Sequence, residues 1–84
     1  DGRMTKVRID IIDEPGMLAR ISNLIAKYGG NIIEIYHQRM FNDVPVKNAK
    51  IDAIIEALSV EHIASIIKAL REDGFQVSEI MERS

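Results

Sequence analysis

The chain has 84 residues, of which 46% are hydrophobic and 29% charged, a balance typical of a folded globular domain and unlike that of a disordered chain. Its 11 basic and 13 acidic residues give a net charge of -2, so no concentrated positive field favours nucleic acid or an anionic membrane. It has no cysteine, which excludes disulfides and cysteine metal sites, and no apolar run reaches the roughly 20 residues that span a bilayer. These features predict a single cytoplasmic domain over residues 1–84, with no nucleic-acid or membrane partner.

The first half of the chain predicts a strand, a helix and a second strand. From Met4 to Ile12 apolar and polar residues alternate, which is the period of a half-buried strand. Asp13-Glu14-Pro15-Gly16 breaks the strand, because proline lacks an amide donor and glycine accepts backbone angles that other residues avoid. Gly29-Gly30 ends the helix that follows, whose apolar stripe is formed by Met17, Leu18, Ile21, Leu24, Ile25 and Tyr28. The second strand runs from Asn31 to about Phe41, with Ile33, Ile35 and His37 on one face and Ile32, Glu34, Tyr36 and Gln38 on the other.

The second half repeats this order. Phe41-Asn42-Asp43-Val44-Pro45 predicts a loop or hairpin turn, and alternation resumes from Val46 to Leu58 as a long third strand. Ser59 is a candidate helix N-cap, and Gly74 ends the second helix, whose stripe is Ile63, Ile66, Ile67 and Leu70. A short last strand follows, in which Phe75 and Val77 alternate with Gln76, Ser78 and Ile80.

The two halves have similar sequences around the ends of their helices. A shift of 45 positions matches glycine, glutamate and isoleucine between residues 28–35 and residues 73–80. Two such units with right-handed crossovers interleave into one sheet. The order therefore predicts an α+β, ferredoxin-like βαββαβ sandwich, with a four-stranded antiparallel sheet and two helices on one face.

Three functions that this fold can carry lack their usual residues. Aromatic residues are only 5% of the chain, too few for the stacking strands of an RNA-binding domain, and a metal carrier would need paired cysteines. A hydrolase of acyl phosphates would need an arginine in an anion loop after the first strand, where Asp13 and Glu14 would repel a phosphate. His37 and His62 have no partner serine or metal-ligand pattern and are interpreted as ordinary polar or interface residues. We therefore predict no catalytic residue and no metal site.

The turn before the first helix is the informative segment. Backbone amides at a helix N-terminus attract a carboxylate, and a side chain at Gly16 would obstruct that approach. Asp13 can accept a hydrogen bond from an ammonium group. The turn therefore suits a free amino acid, and the alternative is a tight turn with a capping aspartate and no ligand.

Two motifs carry a resemblance to a known family. Asp13-Glu14-Pro15-Gly16-Met17-Leu18-Ala19 after the first strand, and Gly29-Gly30-Asn31-Ile32 opening the second, resemble the signature of the ACT domain family. His37-Gln38-Arg39 and Val44-Pro45-Val46 are similar to the single ACT domain at the C-terminus of threonine dehydratases (threonine ammonia-lyases), which use pyridoxal phosphate. Since the chain begins at Asp1, without a methionine, we expect it to be an excised piece of such a protein.

The resemblance implies an allosteric regulatory domain that is not itself an enzyme. It implies pairing into at least a dimer through the first helix and second strand, with an amino-acid effector at the interface. The effector site would take Asp13, Gly16, Met17 and Leu18 from one subunit and Asn31 and Ile32 from the other. Isoleucine or valine would be the effector, the partner would be the catalytic domain of a lyase in amino-acid biosynthesis, and no cofactor would bind this domain. The remaining alternatives are an assembly module that binds nothing small, and a small hydrolase.

Overall fold

The computed structural model describes residues 3–12, 14–39 and 48–80, and confirms the predicted βαββαβ order. Its elements are β1 (Arg3–Ile12), α1 (Met17–Lys27), β2 (Asn31–Arg39), β3 (Asn48–Ala57), α2 (Val60–Glu72) and β4 (Gln76–Ile80). Three predictions lie outside the described residues: Asp13 in the effector site, the turn over residues 41–45, and the start of the third strand at Val46.

The four strands form one antiparallel sheet in the order β2-β3-β1-β4. Ile9 at the centre of β1 lies opposite Ile51 of β3 and Val77 of β4, so one apolar row crosses three of the four strands. Both helices cover this row. The buried core comprises Val7, Ile9, Ile11, Ala49, Ile51, Ala53, Ile55, Ala57 and Val77 from the strands, Ile21, Ile25, Ile63, Ile66, Ile67 and Leu70 from the helices, and Phe75 from the segment before β4. The alternation of β1 and β3 and the helical stripes therefore meet as predicted, except that Leu18 and Tyr28 of the predicted α1 stripe are 40% and 44% exposed. This order leaves β2 and β4 as the edge strands.

The predicted faces of β2 are wrong at its start. A register shift against β3 lies between Ile32 and Glu34, so Ile33 is an extra residue in the ladder. As a result Ile32 and Ile35 pack against the core, while Ile33 is 44% exposed. A strict alternation cannot describe this strand, because a bulge moves every later side chain to the other face.

The face of the sheet away from the helices carries an ion pair between a buried aspartate and a half-buried arginine. Arg8 donates from Nε and Nη2 to the two carboxylate oxygens of Asp52 at 2.8 and 2.9 Å. Asp52 is only 3% exposed, and the hydrogen bonds from Arg8 hold the pKa of its carboxyl below the usual value against the opposing effect of burial. The pair joins the two central strands, β1 and β3, on the side that no helix covers.

The helix ends are joined by polar contacts. Ser59 caps α2, as predicted, because its hydroxyl accepts the His62 backbone N–H at 3.0 Å. The Leu58 backbone N–H donates to Nδ1 of His62 at 2.9 Å, so in the neutral ring Nε2 carries the proton and donates to the Tyr28 carbonyl at 2.6 Å. His62 therefore connects the end of α1 to the start of α2. Neither helix of the described residues is long and apolar enough to cross a membrane.

Candidate functional site

The turn from β1 into α1 exposes backbone amides. Its N-cap is Gly16, in the left-handed region at φ 87° and ψ -8°, a conformation that favours glycine. The Met17 N–H donates to the Glu14 carbonyl at 3.3 Å and the Arg20 N–H to the Gly16 carbonyl at 2.9 Å. The amides of Leu18 and Ala19 lie between these two, in the first turn, where a helix provides no acceptor. No side chain within residues 14–39 or elsewhere in the described structure caps this helix. The start of α1 is therefore a positive helix end with donors directed outward.

A cavity of about 450 Å³ lies against this turn. Its walls come from the turn itself, from the end of β1, from the start of α1 and from β2, and they are Ile11, Glu14, Pro15, Gly16, Met17, Leu18 and His37. A Cβ built on Gly16 would meet no atom within 4 Å. The backbone angle, and not crowding by neighbours, is therefore what requires glycine at this position.

The cavity brings together half of the predicted effector residues. Gly16, Met17 and Leu18 line it, while Asp13 lies outside the described residues. Asn31 and Ile32 are at the far end of the sheet, since Asn31 lies opposite Glu56 whereas β1 ends with Ile12 opposite Asn48. Those two positions on β3, Asn48 and Glu56, are eight residue steps apart, or roughly 27 Å at about 3.4 Å per residue. A single chain therefore cannot place Asn31 beside Gly16.

His37 is a wall of the cavity that the sequence interpretation missed. It lies opposite Ile51 on β2, with its imidazole at the same cavity as Leu18. One sequence feature could have indicated this position. His37 lies two residues after Ile35, which packs against the core, and residues two apart on a strand share a face. It adds an imidazole to a site whose other walls are the backbone of the turn, apolar side chains and the acidic residue Glu14.

This set of groups is suited to holding a carboxylate. The amides of α1 donate hydrogen bonds, the helix dipole favours negative charge, and Ile11 and Met17 offer apolar contact. Over the described ranges, no cluster of three or more His, Cys, Asp or Glu side chains could hold a metal ion.

Comparison with known proteins gives a family match over most of the chain. The family model of the ACT domain matches residues 5–75. An L-threonine ammonia-lyase of Thermotoga maritima is 29% identical, and one of Geobacter sulfurreducens is 33% identical, each over 76 residues that make up 90% of this chain. The chain covers only 19% of the length of each of these two relatives.

The fold also matches solved structures. The ACT domain of the GTP pyrophosphokinase of Chlorobium tepidum superposes with a TM-score of 0.71, covering 95% of this chain and all of that one. Sequence identity in that comparison is 20%, so the likeness concerns the fold alone.

Proposed function

Because the chain belongs to the ACT domain family, we propose that it is a regulatory domain that binds a free amino acid at the β1–α1 turn. The observation that carries the proposal is the start of α1, where Gly16 at φ 87° begins a helix with no side-chain cap among the described residues and where Gly16, Met17 and Leu18 line a cavity. The free donors of this helix end are the amides of its first turn, those of Leu18 and Ala19. The effector carboxylate would accept hydrogen bonds from these amides, and Asp13 would accept one from its ammonium group.

A second copy of the chain would complete this site. The distance between Gly16 and Asn31 within one chain means that Asn31 and Ile32 can reach the turn only from a partner. Two features favour pairing along β2: it is an edge strand, and it exposes Ile33 and Tyr36 by 44% and 47%. Pairing there would extend the sheet across the two copies, in at least a dimer.

The parent protein would be a threonine ammonia-lyase, as the two curated relatives suggest. Its catalytic domain, with the pyridoxal phosphate that such enzymes use, would lie in the part of the protein that this chain does not cover. We propose isoleucine or valine as the effector. An effector that binds one arrangement of the paired domains tenfold better than another shifts their equilibrium by about 1.4 kcal/mol. Through this change in the arrangement of the paired domains, effector binding would alter the activity of the catalytic domain.

Titration calorimetry of the 84-residue chain with isoleucine, valine and the other amino acids tests the proposal. Gly16→Ala should weaken binding about tenfold or more, since alanine in the left-handed region costs about 1–2 kcal/mol and a relaxed turn would misplace the amides. Ala64→Gly is the matched control: it lies exposed on α2, away from the turn, and costs about 1 kcal/mol through helix propensity. Equal affinities for all three proteins would overturn the turn site.

Sedimentation of the same 84-residue chain, with and without amino acids, distinguishes the assembly alternative from the regulatory function. A pure assembly module predicts a dimer that no amino acid affects. The exposed side chains of β2 favour a dimer, which the assembly module and the regulatory domain both predict. Only an effect of amino acids on dimer formation therefore distinguishes the two hypotheses. A dimer that tightens with one effector would support the regulatory function.

A further inference from the structure

In the part of the chain that the structure describes, both helices lie on one face of the sheet, and no second layer covers the other face. We call this uncovered side the open face. On β1 its side chains alternate with those buried under the helices, and they are Met4, Lys6, Arg8, Asp10 and Ile12. Met4 and Ile12, at the two ends of β1, are 62% and 56% exposed. Large apolar side chains at both ends of this row suit a face that a second layer covers.

The charges of this row are placed symmetrically about Arg8 and have opposite signs. Lys6 lies two residues before Arg8 and Asp10 two residues after it, each roughly 7 Å away at about 3.4 Å per residue. A two-fold axis that crosses β1 at Arg8, midway between two facing sheets, therefore places Lys6 of each copy over Asp10 of the other. The same axis places Met4 over Ile12. Aligned sheets cross at about 30°, which displaces the charged groups sideways by roughly 3–4 Å, within the reach of a lysine side chain.

At the axis the two Arg8 side chains approach each other, and each is already paired within its own chain. The guanidinium donates to both carboxylate oxygens of Asp52, which is 3% exposed, so each copy brings a neutral ion pair to the centre of the contact. Asp10 accepts from Lys50 Nζ at 3.2 Å, and a carboxylate can accept further hydrogen bonds. Lys6 of a second copy can therefore bind Asp10 without displacing Lys50.

The area of the open face is sufficient for a weak, specific contact. β1 and β3 are ten residues long, β2 nine and β4 five. At about 4.8 Å between strands and 3.4 Å per residue, the sheet presents roughly 550 Å² in each copy. Two such faces bury about 1,100 Å² in total, just above the roughly 1,000 Å² that a specific interface needs.

We propose that the open face binds the open face of a second copy of this chain, with the two β1 strands antiparallel and the sheets about 10 Å apart. This contact uses neither the β1–α1 turn nor the edge of β2, so it does not rest on the proposed function. Where copies also pair along β2, the two contacts together join four domains.

Sedimentation equilibrium of the 84-residue chain, without amino acids and at up to about 1 mM, tests the proposal. Lys6→Glu sets two carboxylates against each other in each copy of the contact, and Asp10→Lys sets two ammonium groups against each other. Each variant should weaken association about tenfold or more. An equimolar mixture of the two variants should regain it, because the substituted side chains then face each other with opposite charge and the native Lys6 faces the native Asp10.

Lys68→Glu is the matched control, since it makes the same change of charge at an exposed position of α2. It should associate like the parent chain, and mixing it with Asp10→Lys should not restore the loss in that variant. Circular dichroism reports whether each variant is folded.

Recovery of association in the first mixture, and not in the second, supports the contact between open faces. A dimer that neither Lys6→Glu nor Asp10→Lys weakens overturns it and leaves pairing along β2 standing. A parent chain that stays monomeric up to about 1 mM, or two variants that associate no better together than alone, also overturns it.

Discussion

Replacing Gly30 by alanine should overpack the core where the two helices meet. A Cβ at this position would lie 2.8 Å from Ile25 Cγ2 and 2.8 Å from Ile66 Cδ1. Carbon atoms pack best at about 3.5–4.0 Å, so each neighbour must retreat by about 0.7 Å or more. Both isoleucines are essentially buried, at 0% and 1% exposure, and have little room to move. Overpacking of this kind costs about 1–3 kcal/mol, which for a domain of this size lowers Tm by roughly 5–20 °C.

A second substitution identifies the clash as the cause. Ile66→Val deletes the Cδ1 atom and alone should cost about 0.5–1.5 kcal/mol. Combined with Gly30→Ala, it should cost about 1 kcal/mol less than the sum of the two, because the deleted atom is one that the new methyl group meets. Urea unfolding followed by circular dichroism measures all four proteins.

The matched control is another glycine that nothing crowds. Gly74 lies at φ 98° with no atom within 4 Å of a built Cβ, so Gly74→Ala tests backbone strain alone. Its cost should add to that of Ile66→Val without coupling. Additive costs for Gly30→Ala and Ile66→Val would refute the packing argument.

Two further predictions concern the sheet. Hydrogen bonds from Arg8 lower the pKa of Asp52 in the folded state. The stability that the charged carboxylate contributes is therefore complete above the ordinary aspartate pKa of about 4, and is lost as the pH falls below that value. Urea midpoints should therefore drop more steeply below about pH 4 in the parent chain than in Asp52→Asn, and parallel curves would contradict this. In β2, Ile35 packs against the core, so Ile35→Thr should destabilise the domain by about 1–3 kcal/mol. Ile33 is exposed, so Ile33→Thr should change the stability by about 0.5 kcal/mol or less. Thermal unfolding at low protein concentration measures both. Equal losses would mean that the bulge does not set the buried face.

Features with local signals were predictable from the sequence. The alternation of β1 predicted its inward face, and the helical stripes predicted which sides of α1 and α2 are buried. Ser59 was predicted as a cap because its hydroxyl satisfies an amide only three residues away. The proline-glycine turn likewise marked the start of α1, and its N-cap proved to be Gly16 itself.

Features that depend on pairing between distant segments were not predictable in this way. The bulge at Ile33 exists only relative to β3, and its effect reverses the expected faces of the first residues of β2. His37 had no neighbouring partner in sequence to mark it, and its cavity is formed with residues from β1 and α1. The alternation of β3 placed Asp52 on the uncovered face, yet it is only 3% exposed and is bound by Arg8, which lies 44 positions earlier.

The sequence by itself determined the element order, the helix boundaries and the turn that exposes the start of α1, because these follow from interactions within a few residues. Only the tertiary structure decided strand register, the distance of Asn31 from Gly16, and the cavity beside the β1–α1 turn. The physical reason is that register and cavities are properties of packed surfaces. They arise when segments far apart in the chain are brought into contact, and no local periodicity records which side chains will then meet.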